Sequence, residues 1–166
     1  MNHETFKIRL GRLSELFGEK RETFRSMMRR AGSHLGDESF FGSGQQRTYS
    51  GADIVSHEAF RVLQGAGLSE SRADDIICTS EAVPAFFHYL ESEPEKADQI
   101  YLIDFVDSTG RRHCRYAFAE ALGLLQAQAA SPIIALKIDA AYRRAVERCA
   151  AAGLQLEGER LCEVSK

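Results

Sequence analysis

The sequence has no tryptophan and only three prolines, and no apolar run in it approaches the length that a membrane-spanning helix needs. Its first residues, Met-Asn-His-Glu, lack the basic and apolar pattern of a secretory signal. These absences lead to the expectation of a soluble, cytoplasmic protein with no membrane association. Cysteine is sparse as well. Cys78, Cys114, Cys149 and Cys162 never form a Cys-x-x-Cys pair, which argues against a zinc ribbon or a disulfide scaffold and for reduced thiols. Cys114 adjoins His113, but neighbours in a strand point to opposite faces, so the pair is a poor chelate. The chain also lacks a phosphate-binding glycine loop and a nucleophile elbow. Asp104, Asp107 and His113 flank a turn and read as solvated polar residues. His57 and His88 sit on helices with no second ligand one turn away and read as surface or half-buried residues. The expectation is a protein without catalytic activity, cofactor or metal.

What is present is enough apolar material for a real core: 44% of the 166 residues are hydrophobic, which suits one compact unit or two small ones. The net charge of −3 is unevenly spread. Residues 5–35 carry eight Lys or Arg against three acids, whereas residues 62–166 carry eleven against sixteen. A basic head on an acidic body is the charge layout of a DNA-binding domain joined to an oligomerisation or sensing domain.

Within the head, Phe6, Leu10, Leu13, Leu16 and Phe17 recur at helical spacing up to Gly18. A second helix over residues 19–31 places Phe24, Met27 and Met28 on one side, spreads Arg21, Arg25, Arg29 and Arg30 over others, and closes at Gly32. Two short helices joined at a glycine, the second strongly basic, form the outline of a helix-turn-helix. Residues 33–50 contain Gly36, Gly42, Gly44, Phe40, Phe41 and Tyr49 and fit a β-hairpin with a glycine-rich tip, the wing. Ser50 can cap the following helix, with Asp53 in its first turn and Ile54, Val55, Ala59, Phe60 and Leu63 in the core. Further helices begin near Ser69 and Ser80, and the acidic stretch around Pro94 marks the main boundary.

A recognition helix needs an apolar face to dock, outward side chains that reach base edges, and flanking cations for phosphates. Residues 19–30 supply all three. Arg21 and Arg25 lie four apart and suit the acceptors of guanine. Lys20, Arg29 and Arg30 suit phosphates, and Thr23 suits either role.

The run Leu13-Ser14-Glu15-Leu16-Phe17-Gly18, followed by Thr23-Phe24-Arg25, resembles the start of the winged helix of mercury-resistance (MerR-like) regulators. Arg47-Thr48-Tyr49-Ser50-Gly51-Ala52-Asp53-Ile54 resembles that family's Arg-x-Tyr element, and Gly67-Leu68-Ser69 its connection between the third and fourth helices. The resemblance spans residues 12–77. It implies phosphate contacts from Arg47 and Tyr49. The insert over residues 33–46 departs from the pattern, and no long dimerising helix follows, so metal or drug sensing is not implied.

Residues 98–166 read as a small α+β module. A hairpin (99–106 and 111–116) is followed by a helix over 117–129. Residues 133–138 then read either as a third strand with Asp139 capping a helix through Ala152, or as part of one continuous helix from Ser131; the strand is the preferred reading. A short strand at 154–156 is expected to follow. The fold class expected is therefore α+β: a winged helix-turn-helix with helical extension over 1–92, then an oligomerisation or regulatory module over 98–166. In that module the strand 100–106 could lie at a sheet edge and pair with its copy in a homodimer, the alternative being a self-contained core that stabilises the head. The function expected is a sequence-specific regulator bound to double-stranded DNA, of bacterial or mobile-element type, with no small-molecule effector legible. The rival reading is a non-catalytic protein-interaction adaptor or inhibitor of phage origin on the same scaffold.

Overall fold

The computed structural model describes residues 7–30, 32–35 and 47–163. Leu13, Leu16 and Phe17 form the buried side of α1 (Leu10–Phe17), which stops at Gly18. That glycine takes a left-handed φ of 65°, its N–H reaches back to the Glu15 carbonyl, and the Glu19 N–H reaches that of Ser14. After a two-residue turn, α2 (Arg21–Met28) docks through Phe24, Met27 and Met28. A short strand before α1, β1 (Ile8–Arg9), pairs antiparallel with β2 (Thr48–Tyr49), so Ile8 faces Tyr49. Strand β2 lies in the segment expected to form the wing hairpin but pairs with β1, and residues 36–46 of that segment lie outside the described residues.

The long α3 (Gly51–Gly65) starts on a capping box: Ser50 Oγ accepts from the Asp53 N–H, and the Asp53 carboxylate accepts from the Ser50 N–H at 2.7 Å. The expected residues Ile54, Val55, Ala59, Phe60 and Leu63 are all buried. Ser69 caps α4 (Glu70–Ser80), which turns through Glu81 into α5 (Ala82–Ser92); the single turn α6 (Pro94–Ala97) follows.

The sheet is antiparallel, with β3 (Ile100–Val106) between β4 (Arg112–Phe118) and β5 (Ile134–Lys137). This corrects the expectation of an edge strand at 100–106: β3 is hydrogen-bonded on both sides and cannot pair with its copy. It is buried on both faces, which is why it reads as an apolar run. Ile100 and Leu102 join the main core, while Ile103 and Phe105 pack with Leu125 of α7 (Leu122–Gln128). Strand β4 extends into the segment expected to be helical, and a 3-10 turn precedes α7.

Residues 133–138 resolve as a strand running straight into a helix, α8 (Ile138–Ala151). Lys137, rather than Asp139, holds the cap position, and Asp139 accepts from Arg143 one turn later at 2.7 Å. The chain ends in a hairpin of β6 (Leu154–Glu157) and β7 (Arg160–Glu163), of which only the first strand was expected. Its turn presses on the start of α3, where a Cβ on Gly51 would sit 2.6 Å from the Glu159 carbonyl oxygen.

The expected boundary near Pro94 does not divide the core. One apolar cluster runs from Ile8 to Leu161, and α8 packs against α1, α3 and α5. Arg148 of α8 pairs with the buried Glu58 of α3, and Arg12 of α1 donates to the Ala152 carbonyl. Among the described residues no helix is long and apolar enough to cross a membrane.

Candidate nucleic-acid interface and the polar chain beneath it

Helix α2 divides its side chains cleanly. Phe24, Met27 and Met28 are buried, whereas Lys20, Arg21, Thr23, Arg25 and Arg29 are exposed. Three apolar residues at i, i+3 and i+4 set the docked stripe, and this leaves the cations outward. The guanidinium of Arg21 rests against Gly11 of α1. Arg25 lies 3.9 Å from Glu22 across one turn, a long contact between side chains each at least half exposed, which holds it weakly.

The other three candidates are placed differently. Arg30 leaves the outer face and pairs with Glu70 and Asp74 of α4, so it acts as a tether between elements. Arg47 is largely covered, 3.6 Å from Asp53 and stacked over the Tyr49 ring at 5.0 Å. Tyr49 is fully buried and its hydroxyl donates to the Met28 sulfur at 2.8 Å. The phosphate contact that the resemblance implied for Tyr49 is therefore corrected. Strand alternation turns Thr48 out and Tyr49 in, so this hydroxyl faces the core behind α2.

Behind α2 lies a set of residues that sequence reasoning missed. His57 was expected at the surface or half-buried, but its side chain is fully enclosed, as is that of His34. His57 Nδ1 lies 2.9 Å from His34 Nε2, and His34 Nδ1 lies 2.5 Å from Asp74 Oδ1. At the other end His57 Nε2 is 3.4 Å from Glu19 Oε1, which also lies 3.9 Å from Arg61. Asp74 takes a further bond from the His34 backbone N–H at 3.0 Å. His34 stacks on Phe60 with ring centroids 4.4 Å apart, and His57 packs between Phe17 and Phe24. One signal was legible: His57 lies three residues after Ile54 and three before Phe60, on the core stripe of α3.

The electrostatics follow from this enclosure. Burial pushes His34 below the usual imidazole range, and the neighbouring His57 adds to the effect against the opposing pull of Asp74. Burial alone would raise Asp74, but the hydrogen bonds from the His34 ring and backbone hold it below the ordinary carboxylate value. Glu19 is lowered chiefly by its hydrogen bond with His57.

The turn residues considered for catalysis are occupied structurally. Asp104 is buried and clasped by Arg72 and Arg112, the latter at 2.6 Å, while Arg112 also reaches Asp75 at 2.7 Å. Asp107 organises the β3–β4 turn by accepting from Thr109, Arg111 and His113. Among the described residues no cluster of His, Cys, Asp and Glu has the arrangement to hold a metal ion, and all four cysteines are free. Comparison with known protein families and with curated proteins returns no match for this chain.

Proposed function

We propose that this chain is a DNA-binding regulator that places α2 in the major groove of a duplex, as the MerR-like resemblance implies. The observation that carries the reading is the cationic outer face of α2, with Lys20, Arg21, Arg25 and Arg29 exposed over a buried Phe24, Met27 and Met28 in a chain of net charge −3. Concentrated positive charge on an otherwise acidic protein is the footprint expected for a phosphate backbone. Arg21 and Arg25 are the base-reading side chains, because a guanidinium fork matches guanine O6 and N7. Lys20 and Arg29 hold phosphates, and Thr23 supports either. Arg30, Arg47 and Tyr49 leave the contact set and support the helix from behind.

Selection from a random duplex library at near-physiological salt tests the reading. An enriched inverted repeat is the expected outcome for a homodimeric regulator, and its half-site spacing would report the dimer geometry. Arg25→Ala should relax base preference at a cost of about 1–3 kcal/mol, whereas Lys20→Ala should weaken all sequences alike and flatten the salt dependence. The absence of both enrichment and salt-sensitive binding would instead favour a protein-interaction module.

A further inference from the structure

The polar residues behind α2 form one continuous chain that begins two residues before the helix and returns two residues after it. From Glu19 it passes through His57, His34 and Asp74 to Arg30, which is tied in turn to Glu70. The two ends of α2 are thus joined through side chains of α3, α4 and the 32–35 segment.

The protons on this chain can be counted. Each carboxylate end needs an N–H from the ring it faces, and the 2.9 Å contact between the rings needs one proton between two nitrogens. Three protons are then shared by two rings, one more than two neutral imidazoles carry. One positive charge on the histidine pair, between the Glu19 and Asp74 carboxylates, would satisfy all three contacts at once. With one proton fewer, a carboxylate faces a bare ring nitrogen. With one more, two N–H groups meet head-on in a site closed to water.

The groups around the pair favour this single charge. Glu19 comes from the α1–α2 turn and Arg61 from α3. Arg148 of α8 lies over Phe17 and is itself paired with Glu58. Arg30 follows α2, and Asp74, Glu70, Asp75 and Cys78 line α4. Phe17, Phe24 and Phe60 supply the apolar walls that disfavour a second charge.

We propose that Glu19, His57, His34 and Asp74 are positioning residues for α2 that make its seating proton-dependent: one shared proton locks both helix ends, and a further proton at acid pH parts His34 from His57 and releases them. The consequence for DNA, weaker binding on acidification, rests on the DNA-binding reading above.

The test uses the full chain. Imidazole 15N NMR near neutral pH should find three ring protons on the His34–His57 pair. Amide hydrogen exchange, corrected for intrinsic rate, should show α2 losing protection relative to α8 as pH falls below about 6.5, approaching tenfold per pH unit for one linked proton. His34→Gln should abolish this differential loss. As a variant at the less buried end, Glu19→Gln should fold and lose one ring proton, because its amide N–H can donate to the bare His57 nitrogen. Two neutral rings in the wild type, equal loss of protection in α2 and α8, or three ring protons retained in Glu19→Gln would each overturn the proposal. Binding to a random-sequence duplex, measured over the same pH range, should fall in step with α2 protection. Differential exchange with no binding at any pH would leave the latch standing and overturn the DNA-binding reading alone.

Discussion

Helix α4 takes part in two buried polar networks that differ in the chemistry of their links. Through Asp74 it reaches the head, where the path to Glu19 runs across two imidazoles. Through Arg72 and Asp75 it reaches the sheet, where Asp104 is clasped by two guanidinium groups. A guanidinium stays charged at every pH a protein meets, whereas an imidazole changes charge near neutrality. Arg112 loses something to burial but gains more from Asp104 and Asp75, so it is held above even its ordinary value. The sheet is therefore fixed to α4 by a clamp whose cations keep their charge through neutrality. The candidate recognition helix is fixed to the same α4 by one that responds to pH.

The strongest way to break this comparison is Asp74→Ala, which strips the acceptor from the His34 ring, the His34 backbone and Arg30. Its expected cost is about 3–5 kcal/mol in denaturant unfolding at neutral pH, since a buried ring and a tether lose their partner together. Asp104→Ala should cost less, about 3 kcal/mol, because Arg72 and Arg112 are each about a third exposed and can turn to water.

The pH dependence sharpens the contrast. The folded state holds Asp74 and Glu19 below their ordinary values, so their contribution is complete above the unfolded carboxylate range and is lost as pH falls through the folded values. His34 is likewise lowered, so the unfolded chain takes up a proton below about 6.5 that the folded chain refuses. Stability should therefore decline on acidification from about pH 6.5, as followed by chemical denaturation across a pH series. Asp74→Ala should alter that slope and Asp104→Ala should leave it largely intact.

A third junction, between head and C-terminal hairpin, includes a close packing contact at Gly51. Gly51→Ala would drive a Cβ into the Glu159 carbonyl and Leu156, at an expected cost of about 1–3 kcal/mol read from the thermal midpoint. The smallest effect should come from Arg143→Ala. Its pair with Asp139 has the same chemistry as the Asp104 clamp but is 71% exposed on the arginine side, so about 0.5 kcal/mol or less is expected.

Much of the local structure was legible in the chain. The Gly18 break, the Ser50 and Ser69 caps and the strand-then-helix after Pro132 follow from short-range rules about backbone conformation and orphan N–H groups. The docked face of α2 was legible for the same reason, since Phe24, Met27 and Met28 recur at one period. The misplacements have a shared cause. Strand β3 reads as an exposed edge or a central strand with equal ease, because its neighbour β5 lies about thirty residues away. Arg30 and Arg29 are indistinguishable neighbours in sequence, yet only one meets Glu70 and Asp74. Tyr49 was assigned by resemblance, and the register with Ile8 turned it inward.

The sequence by itself determined where helices start and stop, which stripes are apolar, and that the positive charge gathers near α2. These depend on residues within a turn or two of each other. Only the tertiary structure decided that the two expected modules share one core, that β3 is central, and that Glu19, His34, His57 and Asp74 meet. The links among those four side chains join residues 23 to 40 positions apart, and they form only when burial removes the water that would otherwise satisfy each group separately.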